Sequence, residues 1–404
     1  MVLGTVVVVV VVVAGVGAAV QLTRKVPAPE VVLAVPSSLR TVPSPPGGPI
    51  PWPTQGEAAM AVPGVVSFPA VGSGQPVPIA SIAKLMTALV LLADHPLSPG
   101  EQGPAIPVTA QDVATYNTDL ALAESVVPVT AGEQLSELQA IEAMLVPSAD
   151  NIADLVAAWD AGTEAAFVAK MNAMAQSFGL TSLRFADASG LSAQTVGTAT
   201  DVMGLGERAM ANPVIRSVVA MPSVVLPGLS KPAPTYDFDL FADGIVGIKT
   251  GSDGPAGGCF AFAADVTVDG KATLAYGAVL GQTSTPSSLD KAMTVTLGMV
   301  KGLDRVLGGV RLLAPAEPVG TLRTTWGGSV PVSTAKGLDL VAAPGERPTL
   351  HFVPRSSRPL GDRVAVGTVV GTLRVGVNGA TTTLPVVADG SVGGPTLGWR
   401  LLRT

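Results

Sequence analysis

Hydrophobic positions fall into distinct regimes along the chain. Residues 2–20 carry no charge and no strongly polar group, and as a helix they would be long enough to cross ~30 Å of hydrocarbon. This predicts a signal peptide or membrane anchor over residues 1–22. The first basic pair, Arg24 and Lys25, follows the apolar run, the reverse of the positive-inside arrangement for an outward-facing body, so a basic segment upstream is expected. Nine prolines between Pro27 and Pro53 then predict an extended linker, residues 23–54.

The pattern changes at residue 55. Residues 57–79 read as two short strands around Gly64, followed by Pro76 and Pro78. The run from Ser81 to Pro96 is apolar over most of its length, which predicts a buried helix ended by proline. Helical periodicity returns at 133–145, 151–159 and 163–178. In the last of these Phe167, Met171, Met174 and Phe178 recur at intervals of four, three and four, and Gly179 supplies a C-terminal stop. These stripes are read as core.

Three β-rich runs follow at about 244–251, 258–270 and 271–281, the last two joined by Asp269-Gly270, a hairpin signal. A helix from about Ser288 to Leu307 closes the unit. From about 310 short Val, Leu and Thr runs alternate with Gly, Pro and Asn-Gly turns, as in a small all-β domain. The expected class is α+β: residues 55–308 as helices layered on an antiparallel sheet, and residues 309–404 as a C-terminal β-rich domain.

Composition narrows the chemistry. Apolar residues make up 48% of the 404 and charged residues 13%, which argues against disorder. From Val310 onward 10 Lys and Arg stand against 5 Asp and Glu, whereas 14 stand against 25 before it. The acidic body makes nucleic acid an improbable partner, since phosphate contacts need clustered cations. The basic tail suggests contact with anionic wall polymer or lipid headgroups. The single cysteine, Cys259, cannot form an intrachain disulfide and is read as a buried small hydrophobe. His95 and His351 stand in unrelated contexts, so no three-histidine zinc site is available and neither metal nor other cofactor is expected. His95, at a helix end, is expected to meet the last carbonyls.

With so few histidines, the economical nucleophile is a serine activated by lysine. Ser81 and Lys84 stand three apart, on one face of the predicted helix, and a buried lysine beside another cation can be neutral enough to act as a base. The spacing recurs twice. Ser288 sits where a helix cap belongs, and Ser333, with Lys336, lies among strand signals where three-residue spacing does not align side chains. Lys249, Thr250 and Gly251 form the sole Lys-Thr-Gly of the chain, followed by Ser252. Between the two motifs Ser148 precedes a helical pattern, with Asp150 and Asn151 close behind.

The order Ser-x-x-Lys, Ser-x-(Asn), Lys-Thr-Gly resembles the penicillin-recognising serine hydrolases. Over roughly residues 50–308 the chain is similar to the D-alanyl-D-alanine carboxypeptidases among the low-molecular-mass penicillin-binding proteins, in their actinobacterial style. The resemblance implies a β-lactamase/transpeptidase-like domain acting outside the cytoplasm, at the cell envelope, either membrane-anchored through the N-terminal segment or secreted. It implies peptidoglycan stem peptides as substrate and β-lactams as inhibitors. Ser81 would form the acyl-enzyme, Lys84 would take its proton, and Ser148 would relay a proton to the leaving amine. Lys249 and Thr250 would hold the substrate carboxylate, Gly251 would let the strand approach, and the backbone N–H groups of Ser81 and Ser252 would form the oxyanion hole.

One position departs from the family pattern. The amide expected two residues after the relay serine is Asp150, with Asn151 next. A carboxylate cannot donate a hydrogen bond and would tend to keep Lys84 charged. Asp150 is accommodated, or Asn151 serves in its place, or activity is reduced. Two other functions compete. A β-lactamase on the same scaffold would commonly use a Glu-x-x-Leu-Asn before Lys-Thr-Gly, and none occurs in that stretch. A non-catalytic wall-binding protein with an impaired site is motivated by Asp150.

Overall fold

The computed structural model describes residues 2–34, 36, 39–44, 48–268, 270–355, 360–377 and 380–403, with 2–9 and 380 by backbone alone. The chain forms two units, one of residues 46–308 and the other of residues 1–45 with 309–404.

The first unit is built on a five-stranded antiparallel sheet. Its strands are β1 (Glu57–Val62), β2 (Val66–Ser67), β3 (Ile245–Asp253), β4 (Gly257–Val268) and β5 (Lys271–Gln282), in the order β3-β4-β5-β1-β2. The β4–β5 hairpin pairs Val268 with Lys271 and leaves a two-residue turn. Gly270 there has φ +75°, the left-handed conformation such turns need; Asp269 lies outside the described residues. Gly64 likewise turns β1 into β2 with φ +72°.

Six longer helices accompany the sheet: α1 (Lys84–Asp94), α2 (Ala110–Ala121), α3 (Glu137–Leu145), α4 (Asp150–Ala161), α5 (Glu164–Ser177) and α6 (Ala199–Ala211), with α7 (Ser288–Leu307) closing the unit. Ala261 and Ala263 of β4 belong to the core shared with α1, α4 and α6. The alternate residues Phe260 and Phe262 are also fully buried, on the face covered by α7. Burial on both faces explains why β4 reads as a continuous apolar run and not an alternating one. Helix α1 is buried from Lys84 to Leu92 and packs against α3, α4, α5 and α6, so its all-round hydrophobicity marks it as the central helix. Gly179 has φ +76° just past α5. The cap of α7 is Ser287, whose side chain accepts from the Asp290 N–H, one residue before the serine expected.

In the second unit six antiparallel strands run in the spatial order 30–33, 318–323, 329–334, 380–388, 369–377, 349–354. Segment 23–54 is therefore not all linker: Glu30–Leu33 is an edge strand of this sheet, paired with residues 320–323. Residues Val2–Thr23 are helical. Among the described residues no helix is long and apolar enough to cross a membrane, and the side chains of residues 2–9, on which much of that expectation rests, lie outside the described set.

Candidate active site

Ser81 sits on a short 3-10 turn, Ala80–Ala83, that runs directly into α1, so Lys84 opens the helix one turn further along the same face. Lys84 is fully buried. Its Nζ lies 2.8 Å from Ser81 Oγ, 2.6 Å from Asp150 Oδ1 and 3.1 Å from the Ser189 carbonyl oxygen. A carboxylate and a carbonyl only accept, so two of these three bonds are donated by the amine. The third, with the serine hydroxyl, can run in either direction, and a proton can cross it.

Asp150 begins α4 and is almost fully buried. Its Oδ1 pairs with Lys84 and its Oδ2 accepts from the Ser125 N–H at 3.1 Å. Asn151, one residue and about 100° further round the helix, turns away: its Oδ1 accepts from the Val127 N–H at 3.1 Å and its Nδ2 donates to the Val127 carbonyl at 2.9 Å. The side chain beside the lysine is thus a carboxylate, and the neighbouring amide is committed to a loop. Ser148 lies in the turn between α3 and α4, buried, with φ +63°.

Strand β3 is an edge of the sheet, and its Lys-Thr-Gly stretch lies against the Ser81 turn. A Cβ on Gly251 would stand 3.0 Å from both Ala80 Cβ and the Ser81 nitrogen, so glycine is what allows the approach. From the other side Gly190, with φ +93°, backs onto Ala80, where a Cβ would fall 2.0 Å from the carbonyl oxygen. Between these elements is a cavity of about 160 Å³. Ser81, Ser125 and Ser148 line one side, Thr250, Gly251 and Ser252 another, with Tyr236 and Leu289 as its apolar wall.

Lys249 is not in that wall. It is buried behind it, donating to the Thr250 carbonyl at 3.0 Å. Burial, and then the positive charge of Lys84, lower its pKa to about 7 against the opposing pull of Asp150 and Asp237. Asp237 is itself buried, and burial pushes it up to about 7 against a backbone hydrogen bond from Asp239. Asp154, on α4, is raised to about 7 by burial first and then by Glu164, Asp119 and Asp150, opposed by Lys84.

The structure therefore gathers Ser81, Lys84, Ser148, Asp150, Lys249, Thr250, Gly251 and Ser252 around one cleft and sets Asn151 aside. It adds residues that the motifs did not indicate: Ser125, Tyr236, Asp237 and the 187–195 loop. In that loop Asp187 accepts from the Ser189 hydroxyl, the Gly190 and Ser192 N–H groups and the Thr195 hydroxyl, which fixes the carbonyl that meets Lys84. An aspartate followed closely by Ser, Gly, Ser and Thr is a turn-forming pattern and was the available signal.

The remaining candidates lie elsewhere. The His95 ring meets the Asp160 carboxylate at 3.1 Å and stacks on Trp159, not on helix-end carbonyls. His351 is in the edge strand of the other unit. Cys259 is buried, its thiol pushed up to about 12 by burial, so it is not a nucleophile.

Comparison with known proteins bears on the family and the fold. Over 130 residues the chain is 35% identical to a D-alanyl-D-alanine endopeptidase of Pseudomonas aeruginosa, a match covering 32% of this chain and 38% of that relative's length. A D-alanyl-D-alanine carboxypeptidase structure from Mycobacterium tuberculosis superposes with a TM-score of 0.51 at 25% identity, over 63% of this chain and 95% of that one. A peptidoglycan synthesis regulatory factor from Streptococcus pneumoniae shares the fold at 19% identity, with a TM-score of 0.56 over 83% of this chain and 98% of that one. The family model described as D-alanyl-D-alanine carboxypeptidase matches residues 70–283, and the chain belongs to that family of serine peptidases.

Proposed function

We propose that this chain is a serine-type D-Ala-D-Ala carboxypeptidase that removes the terminal D-alanine of peptidoglycan stem peptides. The observation that carries the reading is the buried Lys84 amine 2.8 Å from Ser81 Oγ, with a Lys-Thr-Gly edge strand against the same turn. Ser81 Oγ attacks the carbonyl carbon of the D-Ala-D-Ala bond while its proton passes to Lys84 Nζ. The oxyanion is met by the backbone N–H groups of Ser81 and Ser252. Thr250, and the Lys249 charge behind it, hold the terminal carboxylate. The C–N bond breaks as Ser148 relays a proton to the leaving amine, and water then hydrolyses the Ser81 ester. β-Lactams acylate Ser81 in the same way.

Asp150 is accommodated in this reading as the hydrogen-bond acceptor that orients Lys84 Nζ beside Ser81 Oγ. The setting is the cell envelope, with the N-terminal helix as membrane anchor or signal and the basic C-terminal stretch as a contact for anionic polymer. The test is release of free D-alanine from a D-Ala-D-Ala peptide by the full chain, wild type against Ser81→Ala. Equal release by both, or none by either, contradicts the proposal. Rapid turnover of a chromogenic cephalosporin would favour a β-lactamase instead.

A further inference from the structure

Segment 125–127 is strapped to the start of α4 by two pairs of hydrogen bonds. The Ser125 N–H donates to Asp150 Oδ2 at 3.1 Å, and the Asp150 N–H donates to the Ser125 carbonyl at 2.7 Å. Two residues on, the Asn151 amide takes both backbone groups of Val127, accepting from the N–H at 3.1 Å and donating to the carbonyl at 2.9 Å. Held in this way, Ser125 lines the cleft together with Ser81 and Ser148. Both of its backbone polar groups are spent on Asp150, so what it can offer a ligand is its hydroxyl. Among the described residues that hydroxyl has no hydrogen-bond partner.

The same strap leaves this wall of the cleft short of a donor. Asp150 only accepts, with Oδ1 on Lys84 Nζ and Oδ2 on the Ser125 N–H. Asn151 is committed to Val127. In the function proposed above, on which this inference rests, Ser81 is the nucleophile and Ser148 the proton relay. Ser125 is the hydroxyl left over. The other wall, Thr250 to Ser252, belongs to the edge strand β3, and the free backbone groups of an edge can pair with an extended peptide. A planar trans amide points its N–H and its C=O in opposite directions. When the amide on the N-terminal side of the penultimate D-alanine turns its N–H to β3, its carbonyl is turned to the Ser125 wall. Without a donor there, that carbonyl would lose the hydrogen bond it made in water.

We propose that the Ser125 hydroxyl donates to this carbonyl, in place of the amide that the family pattern has at the Asp150 position. Ser125 thereby makes the enzyme select substrates and β-lactams that carry an acylamino group over those that lack one.

The test measures the rate at which the full chain is acylated by benzylpenicillin, whose acylamino group carries such a carbonyl, and by 6-aminopenicillanic acid, which has a free amine in its place. The wild type is expected to react faster with benzylpenicillin. Ser125→Ala keeps the backbone bonds to Asp150 and is expected to lower the ratio of the two rates by about fivefold, the middle of the range for one neutral hydrogen bond. Ser125→Thr, which keeps a hydroxyl, is expected to retain most of the ratio. A ratio unchanged by Ser125→Ala overturns the contact while leaving the function intact, as does one lowered as much by Ser125→Thr as by Ser125→Ala. No acylation of the wild type by either compound overturns the function and the contact together.

Discussion

Lys249 is placed where a charged lysine is costly, and replacing it with methionine exposes that cost. Lowering its pKa from 10.5 to about 7 corresponds to a native-state penalty on the order of 5 kcal/mol when the group is charged in both states. The folded value lies below the unfolded one, so between about pH 7 and 10.5 the unfolded chain binds more protons and stability rises with pH. The penalty is complete below pH 7 and vanishes above 10.5. Relative to the wild type, Lys249→Met should be more stable by about 5 kcal/mol at pH 6 and about 2 kcal/mol at pH 9. Loss of the hydrogen bond to the Thr250 carbonyl subtracts about 1 kcal/mol at either pH. The assay is urea unfolding of the full chain, following Trp52 and Trp159 with Trp326 and Trp399 replaced by Phe in both proteins. The same variant should acylate with penicillin roughly 10- to 100-fold more slowly, matching the 1.5–3 kcal/mol of a hydrogen bond to a charged group. A variant less stable than wild type by the same amount at both pH values would refute the reasoning.

Three further outcomes follow from the geometry. Gly251→Ala places a methyl 3.0 Å from Ala80 Cβ and the Ser81 nitrogen, so acylation should slow by about tenfold or more, of order 1.4 kcal/mol, with little change in Tm; undiminished acylation would contradict the close approach. Asp150→Asn leaves one acceptor for two donors, Lys84 Nζ and the Ser125 N–H, and should cost about 1–3 kcal/mol in urea unfolding; an unchanged midpoint would mean the pair holds nothing. Glu137 is fully buried with neither oxygen bonded, and burial, then Asp160, raise it to about 7. Its folded value is above the unfolded one, so stability falls as pH rises from about 4.5 to 7. Glu137→Gln should therefore gain over wild type at pH 8 and not at pH 4, as read by thermal melts.

The parts of the molecule legible in the sequence are those whose signal is local. Ser81 and Lys84 share a face because a helix repeats every 3.6 residues, and the β4–β5 turn needs a glycine with positive φ. Helix α6 was not legible because Gly204 and Gly206 interrupt its pattern; the structure shows Gly206 making room for Ile248, whose Cδ1 would lie 2.8 Å from an added Cβ. Helix α2 has a capping box between Thr109 and Asp112 but only Asp119 buried, so it lacks an apolar stripe to announce it. Strand 30–33 depends on a partner nearly three hundred residues away. The choice between Asp150 and Asn151 turned on helix phase, which one residue reverses.

The most direct measurement is the covalent state of the full chain after exposure to benzylpenicillin, by intact mass followed by peptide mapping. The account predicts one penicilloyl group per chain, carried by the peptide containing Ser81 and absent in Ser81→Ala. A folded wild-type protein that takes up no adduct, or one whose adduct maps to another residue, would contradict it.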